Sequence, residues 1–293
     1  MSKSVNRIIG LRAETSIHAG SGESEGMVDL PIMREKHSGW PVVYGSAVKG
    51  ALRATSLDWS DQELALALFG PDTASASEHA GSMLVGDARL LALPVRSQTS
   101  QYRLVTCPDL INRFIRDAQR LGLKISDIDV SVTIADGEVL TAEDESNKKL
   151  FLEEFSFVRK TASLDGVLRL LETLVGLSVA DGGDKLAIIN NDAFAHLCQS
   201  AIPVRPHIAL DTATKTVKPG ALWHEESLPP DTVLYTCLSV KDSRRPGYSC
   251  SGEDLYHALS QALLAKHPYL QLGGNETTGM GWCKVTEFAW GAE

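Results

Sequence analysis

The sequence predicts an α+β fold built as one unit over residues 1–293, and three observations carry that prediction. Short runs near both ends alternate apolar and polar residues, six segments between them repeat apolar residues about every 3.6 positions, and the two kinds of segment follow one another irregularly. The strict βα alternation of a doubly wound nucleotide-binding sheet is missing. The terminal runs suit a ferredoxin-like, RRM-type sheet, in which strands far apart in sequence lie side by side.

In chain order, residues 7–17 (RIIGLRAETSI) put Ile9, Leu11 and Ala13 on one side and Arg12 and Glu14 on the other, which predicts a half-buried strand. Residues 46–57 predict a helix, with Ser46 suited to cap it and Val48, Ala51, Leu52 and Thr55 on one face. Further helices are expected at 61–69, 109–121, 163–177, 192–198 and 253–266, and further strands at 82–93, 128–134, 204–210, 232–240 and 281–290. Loops are expected at 71–82, 94–101, 135–149 and 241–254. None is long enough to link independent domains, and no repeat or low-complexity tract interrupts the chain.

Hydrophobic residues make up 43% and charged residues 22% of the chain, enough apolar surface for a sizeable core. No run approaches the roughly 18 apolar residues of a membrane span, and no apolar stretch follows the basic residues of MSKSVNRIIGLRAE. The expectation is a cytoplasmic protein without a membrane partner. Cys107, Cys198, Cys237, Cys250 and Cys283 are far apart and include no Cys-x-x-Cys pair, so they read as buried reduced thiols. A net charge of -9 argues against indiscriminate nucleic-acid binding. The charge is uneven, however: four bases face two acids over 27–57, whereas seven acids face two lysines over 136–154. The acidic stretch reads as a solubilising surface or a contact for a small helical partner.

Three polar clusters can carry chemistry. The first runs from His18, Gly20 and Gly22 through Asp29 and Arg34 to Gly45, Ser46, Lys49 and Arg53. Glycines let backbone amides approach phosphate, a helix N-terminus is partly positive, and Lys49 and Arg53, four apart, share a helix face. A solvated helix face with ordinary turns is the competing reading. The spacing excludes a Rossmann loop, no Walker-type Gly-Lys-Ser/Thr exists, and Ser46 is in no Gly-x-Ser-x-Gly elbow. The second cluster, Gly273 to Gly281, precedes a strand. It lacks a helix dipole but can lay amides and the Thr277 and Thr278 hydroxyls, with Gly279 and Gly281, along a nucleic-acid backbone. A flexible hairpin is the alternative. The third, Lys218 to Pro229, sets Glu225 and Glu226 beside Trp223, either as surface residues or to hold a divalent metal or orient a ribose hydroxyl.

Together, His18 to Arg53, KPGALWHEESLP at 218–229 and LGGNETTGMG at 272–281 resemble the RAMP proteins of CRISPR type III effectors, most closely the Cas7-like backbone family of the type III-B (Cmr) complex. The resemblance covers nearly the whole chain in order and spacing, although residues 70–200 add little. It implies a RAMP palm with inserted helices, loops and a thumb-like hairpin, placed at 203–222 with Lys215 and Lys218 on it. It also implies copies stacked along a guide crRNA that pairs with target RNA, beside a small helical subunit and a large Cas10-type subunit. The protein then reads the guide backbone and leaves base edges to the target strand.

In that family the acid of the Val-Asp-x-Pro motif is needed for target cleavage, which implies Asp29 as catalytic residue. A 2'-hydroxyl would attack the adjacent phosphate in line, at regular intervals where a thumb displaces a nucleotide. A carboxylate is a poor base at neutral pH unless buried, so Asp29 is expected to position the hydroxyl or Mg²⁺, or another divalent ion. His18, Glu225 and Glu226 are secondary catalytic candidates. A non-catalytic crRNA-binding subunit, or a stand-alone guide-processing endonuclease using His18, are the alternatives.

Overall fold

The computed structural model describes residues 4–22, 28–72, 77–128, 133–143, 148–178, 182–265 and 267–290. Helices form where the apolar spacing predicts them: α1 (Gly45–Thr55), α2 (Gln62–Phe69), α3 (Pro108–Arg120), α4 (Asp165–Val175), α5 (Asn191–Ser200) and α6 (Gly252–Ser260). The predicted strands appear as β1 (Val5–Ala13), β3 (Met83–Val85) with β4 (Ala88–Arg96), β10 (Val204–Leu210), β12 (Val233–Val240) and β14 (Trp282–Glu287). The strand expected at 128–134 falls mostly outside the described residues.

β1 pairs antiparallel with β12 on one side and β14 on the other, so Leu11 faces both Leu234 and Val285. β12 also pairs antiparallel with β4. The resulting order β14-β1-β12-β4, with α1 between β1 and β4 and α6 between β12 and β14, is the split βαβ pair of a ferredoxin-like palm. The two ends of the chain therefore meet in one sheet, as their alternation predicted.

The sheet runs on through strands that the pattern did not mark: β5 (Tyr102–Thr106), β9 (Leu186–Ile189), β6 (Glu138–Thr141), β8 (Phe155–Thr161) and β7 (Lys149–Leu152). β9 is buried on both faces and shows no alternation. β6 and β7 are four residues each and sit in the acidic stretch, so 135–149 is not the loop it resembled. The expected strand 82–93 is two strands broken at Gly86–Asp87, and β4 reaches into the expected loop 94–101. β2 (Val42–Val43) pairs with β4, and β13 (Tyr269–Gln271) with β14.

Buried side chains form one contiguous cluster, in which Phe114 on α3 meets Tyr235 edge-on at 4.9 Å and Phe288 at 5.2 Å. Beside it the buried Asp117 accepts from the Tyr235 hydroxyl and from Arg89, both at 2.9 Å, so the acid is satisfied. Burial pushes the Cys107 and Cys283 thiols up to about 12, in keeping with unreactive cysteines. Among the described residues no helix is long and apolar enough to cross a membrane.

β10 and β11 (Val217–Glu226) form a two-stranded sheet of their own, the hairpin expected at 203–222 but longer on its return strand. Ile208, Leu210 and Leu222 are about half exposed along it. At its tip the Asp211 carboxylate accepts from Thr214 N and Oγ1 and from Ala213 N, hydrogen bonds that hold its carboxyl below the usual range.

Candidate nucleic-acid interface

The root of the hairpin is where the sequence clusters meet. Residues 18–22 run antiparallel to 31–34, with Gly20 bridged to Ile32, and residue Leu30 bridges in parallel to Glu225 of β11. Leu30 N donates to His224 O and Glu226 N donates to Leu30 O, both at 3.0 Å. Asp29 is thereby held against β11, and its Oδ2 accepts from His224 N at 2.7 Å. Its side chain is 54% exposed and its second oxygen has no partner among the described residues, while the His224 ring brings Nδ1 to 3.5 Å from Oδ2. His224 carries no role in the sequence pattern, because nothing local to residue 224 points to residue 29.

Glu226 and Arg34, candidates for catalysis and RNA contact, are spent on one another. Arg34 Nη2 pairs with Glu226 Oε1, Arg34 Nη1 donates to Cys198 O and Gly39 O, and Ile32 N donates to Glu226 Oε2. The side chains are 21% and 7% exposed, so in the absence of RNA the pair forms an internal clamp. Glu225 is buried as well: its Oε1 accepts from Asn275 Nδ2 at 2.5 Å and lies 3.8 Å from His18 Nδ1. His18 donates from Nδ1 to Glu226 O at 2.7 Å and is 12% exposed. Glu225 and His18 thus tie the three clusters together from beneath. Surface carboxylates, the competing reading of the third cluster, are also excluded.

The C-terminal glycine loop closes on this assembly. Gly274 N donates to His18 O and Gly281 N to Ser16 O, each at 2.8 Å. A Cβ at Gly273, which sits at φ +84°, would fall 2.3 Å from His18 O, so only glycine fits. The amides of Thr278, Gly279 and Met280 and the Thr278 hydroxyl are bound inside the loop. This corrects the expectation of a row of free donors: Thr277, Thr278 and Gly279 are exposed, yet Thr278, Gly279 and Gly281 have no amide left to offer.

α1 also differs from its prediction. Ser46 does not cap it; the helix begins at Gly45, whose N–H donates to Asp87 Oδ1 at 2.7 Å. Gly45 lies so close to the β3–β4 corner that a Cβ would meet Val85 O at 2.6 Å. The Asp87 carboxylate already answers the helix dipole, and exposed Ser46 stands in the first turn. Lys49 and Arg53 do share a face. Arg53 bonds Asp72 Oδ1 at 2.7 Å and Pro71 O at 3.1 Å. Lys49 has no acidic partner among the described residues, and burial with the Arg53 charge lowers its pKa. Gly22 is an exposed turn at φ +80°, and Lys215 and Lys218 are exposed at the tip and on the return strand of the hairpin.

At the hairpin root Asp29 is the exposed carboxylate available to a divalent ion, and among the described residues no cluster of three metal-ligating side chains exists. That donor set suits Mg²⁺ only as a partial ligand, completed by phosphate oxygens and water.

Fold and site define a palm-and-hairpin protein with a ferredoxin-like centre and a carboxylate at the hairpin root. The chain belongs to the RAMP superfamily, whose family model matches residues 11–284. It is 36% identical over 287 residues, 95% of this chain and 94% of the relative, to the CRISPR system Cmr endoribonuclease Cmr4 of Pyrococcus furiosus. The crystal structure of oligomeric Cmr4 from Pyrococcus furiosus superposes with a TM-score of 0.71, at 29% identity and 97% coverage of both chains. A type III-B Cmr-beta complex bound to cognate target RNA contains a chain with the same fold, at a TM-score of 0.74, 21% identity and 97% coverage of both.

Proposed function

We propose that this chain is the backbone subunit of a type III-B CRISPR effector, an endoribonuclease that holds guide crRNA and cuts paired target RNA at regular intervals. The observation that carries the reading is the Asp29 carboxylate, fastened to His224 N at 2.7 Å and open to solvent at the root of an exposed hairpin. A hairpin that displaces one nucleotide frees the adjoining linkage from A-form geometry, and a carboxylate beside it can take the 2'-hydroxyl as a hydrogen-bond donor and hold it in line. The O2'–P bond then forms as the P–O5' bond breaks, the 2'-hydroxyl proton passing to water and O5' taking a proton from water, which leaves a 2',3'-cyclic phosphate and a 5'-hydroxyl. Asp29 Oδ2 is occupied by the His224 amide, so the other oxygen does the orienting. With RNA bound, Asp29 and phosphate oxygens would hold Mg²⁺, which supplies charge neutralisation at the phosphorus.

Copies of this chain stack along the guide, with the small helical subunit and the large Cas10-type subunit as further partners, in the cytoplasm. Lys49, with Lys215 and Lys218 on the hairpin, supplies phosphate contacts. A stand-alone endonuclease using His18 finds no support in a ring that is 12% exposed with Nδ1 committed.

The test is a denaturing gel of end-labelled target RNA with the assembled complex and Mg²⁺. The wild type yields cuts at a constant interval, and Asp29→Asn removes them with guide content unchanged. Intact target with wild-type complex would leave a purely structural subunit.

A further inference from the structure

A cavity of about 460 Å³ opens between α1, the turn after it, the segment 261–265 and the β13–β14 hairpin. It lies apart from Asp29, and the residues that form it drew no role from the three clusters apart from Glu276, a neighbour of Asn275. Aromatic rings border it: Trp59, His267, Tyr269 and Trp282, with His267 at 5.3 Å from Tyr269 and 6.4 Å from Trp282. Trp59 is steadied by Phe69 at 6.1 Å. The helix contributes only Ala51, Ala54 and Thr55 to the lining, so no bulky side chain closes the slot from that side. Its volume lies in the range of small-ligand sites.

The polar lining selects among flat ligands. Gln271 spends Nε2 on Gly273 O and Met280 O, which leaves its Oε1 as an acceptor. Glu276 adds a carboxylate that has no cationic partner among the described residues. Two acceptors beside rings set at an angle to one another suit a planar group with N–H donors on its edge. An amino-bearing nucleobase has that form, and stacking on aromatic side chains is how single-stranded RNA is held.

The helix relates the slot to the phosphate contacts. At about 100° per residue, Lys49 and Arg53 lie on one flank of the outward face of α1 and Ala51 and Thr55 on the other. Exposed Ala47, Gly50 and Ala54 form a low ridge between them. We infer that the slot takes one unstacked, amino-bearing base of an RNA strand that crosses this ridge with its phosphate on the Lys49 flank. This rests on the RNA-binding reading above and adds a site and a base class to it.

Full-length protein titrated by fluorescence anisotropy with oligoadenylate, and with an abasic ribose-phosphate oligomer of equal length, tests it. Wild type binds oligoadenylate roughly 5- to 100-fold more tightly, the range expected for one stacked base. Oligouridylate, whose pairing edge carries one N–H between two carbonyls, falls nearer the abasic chain. Tyr269→Ala, and Ala54→Phe, which fills the slot from the exposed helix face, each bring the ratio close to one. Both leave the salt dependence intact. Equal binding of base-bearing and abasic oligomers by wild type overturns the slot while RNA binding stands; no binding of either overturns both. Unchanged ratios in both variants, or a change in particle size with Ala54→Phe in place of a change in ratio, also overturn it, the latter assigning the slot to contact between copies.

Discussion

Asp29 and Glu226 both join the ladder of β11, and their fates are opposite. Asp29 uses one oxygen on a backbone amide and keeps the other in solvent, at 54% side-chain exposure. Glu226, two residues beyond the amide that holds Asp29, gives both oxygens to Arg34 and Ile32 and is 7% exposed. Two carboxylates of the same chemical type thus become a solvent-open corner and an internal strut. What separates them is the supply of donors, since a buried carboxylate without two or three partners is too costly to keep.

The largest effect that tests this contrast is on chemistry. Asp29→Asn keeps the acceptor for His224 N but loses the charge, so cutting by the assembled complex falls about 10²- to 10⁴-fold, the usual share of a positioned acid-base group. Stability moves by no more than about 0.5 kcal/mol, as at most surface sites. Retained cutting on the gel would erase the distinction between the two acids. Glu226→Ala acts on the other side: it strands Arg34 and costs about 3–5 kcal/mol in urea unfolding. The double variant Arg34→Met/Glu226→Leu recovers most of that loss, and a single-variant loss below about 1 kcal/mol would mean that the clamp is dispensable.

Smaller effects sharpen the boundary between site and scaffold. Gly273→Ala costs about 1–3 kcal/mol from backbone strain alone, and more from the clash with His18 O. Gly22→Ala, in an open turn with nothing near its Cβ among the described residues, costs only the strain. Equal losses in thermal unfolding would deny the glycine loop its part in seating His18. Smallest is Lys49→Ala, which flattens the log-log salt dependence of single-strand RNA affinity by about 0.7, one phosphate contact. Arg53→Ala changes it less, because Asp72 already balances Arg53.

Much of this was legible in the chain. β1 and β14 were marked as partners-to-be by their alternation, the six helices by their spacing, and the hairpin by RPHIALDTATKTVKPG. Asp29 was singled out through the resemblance of its motif, and its place against β11 had no local signal. The missed elements had no local signal: β9 is apolar on both faces, and β6 and β7 are short and lie among acids. The roles of Arg34, Glu225 and Thr278 were misjudged because a sequence lists polar groups without their partners. Ser46 was misread as a cap because the true acceptor, Asp87, lies 42 residues away.

The sequence by itself determined the α+β palm, the meeting of its two ends and a set of polar candidates for contact with RNA, because periodicity and residue chemistry are properties of neighbours along the chain. Only the tertiary structure decided which of those residues are free to act. Exposure and hydrogen-bond supply at Asp29 come from His224, 195 positions away, and those at Glu226 from Arg34, 192 positions away. No local pattern encodes a donor that arrives from the far end of the fold.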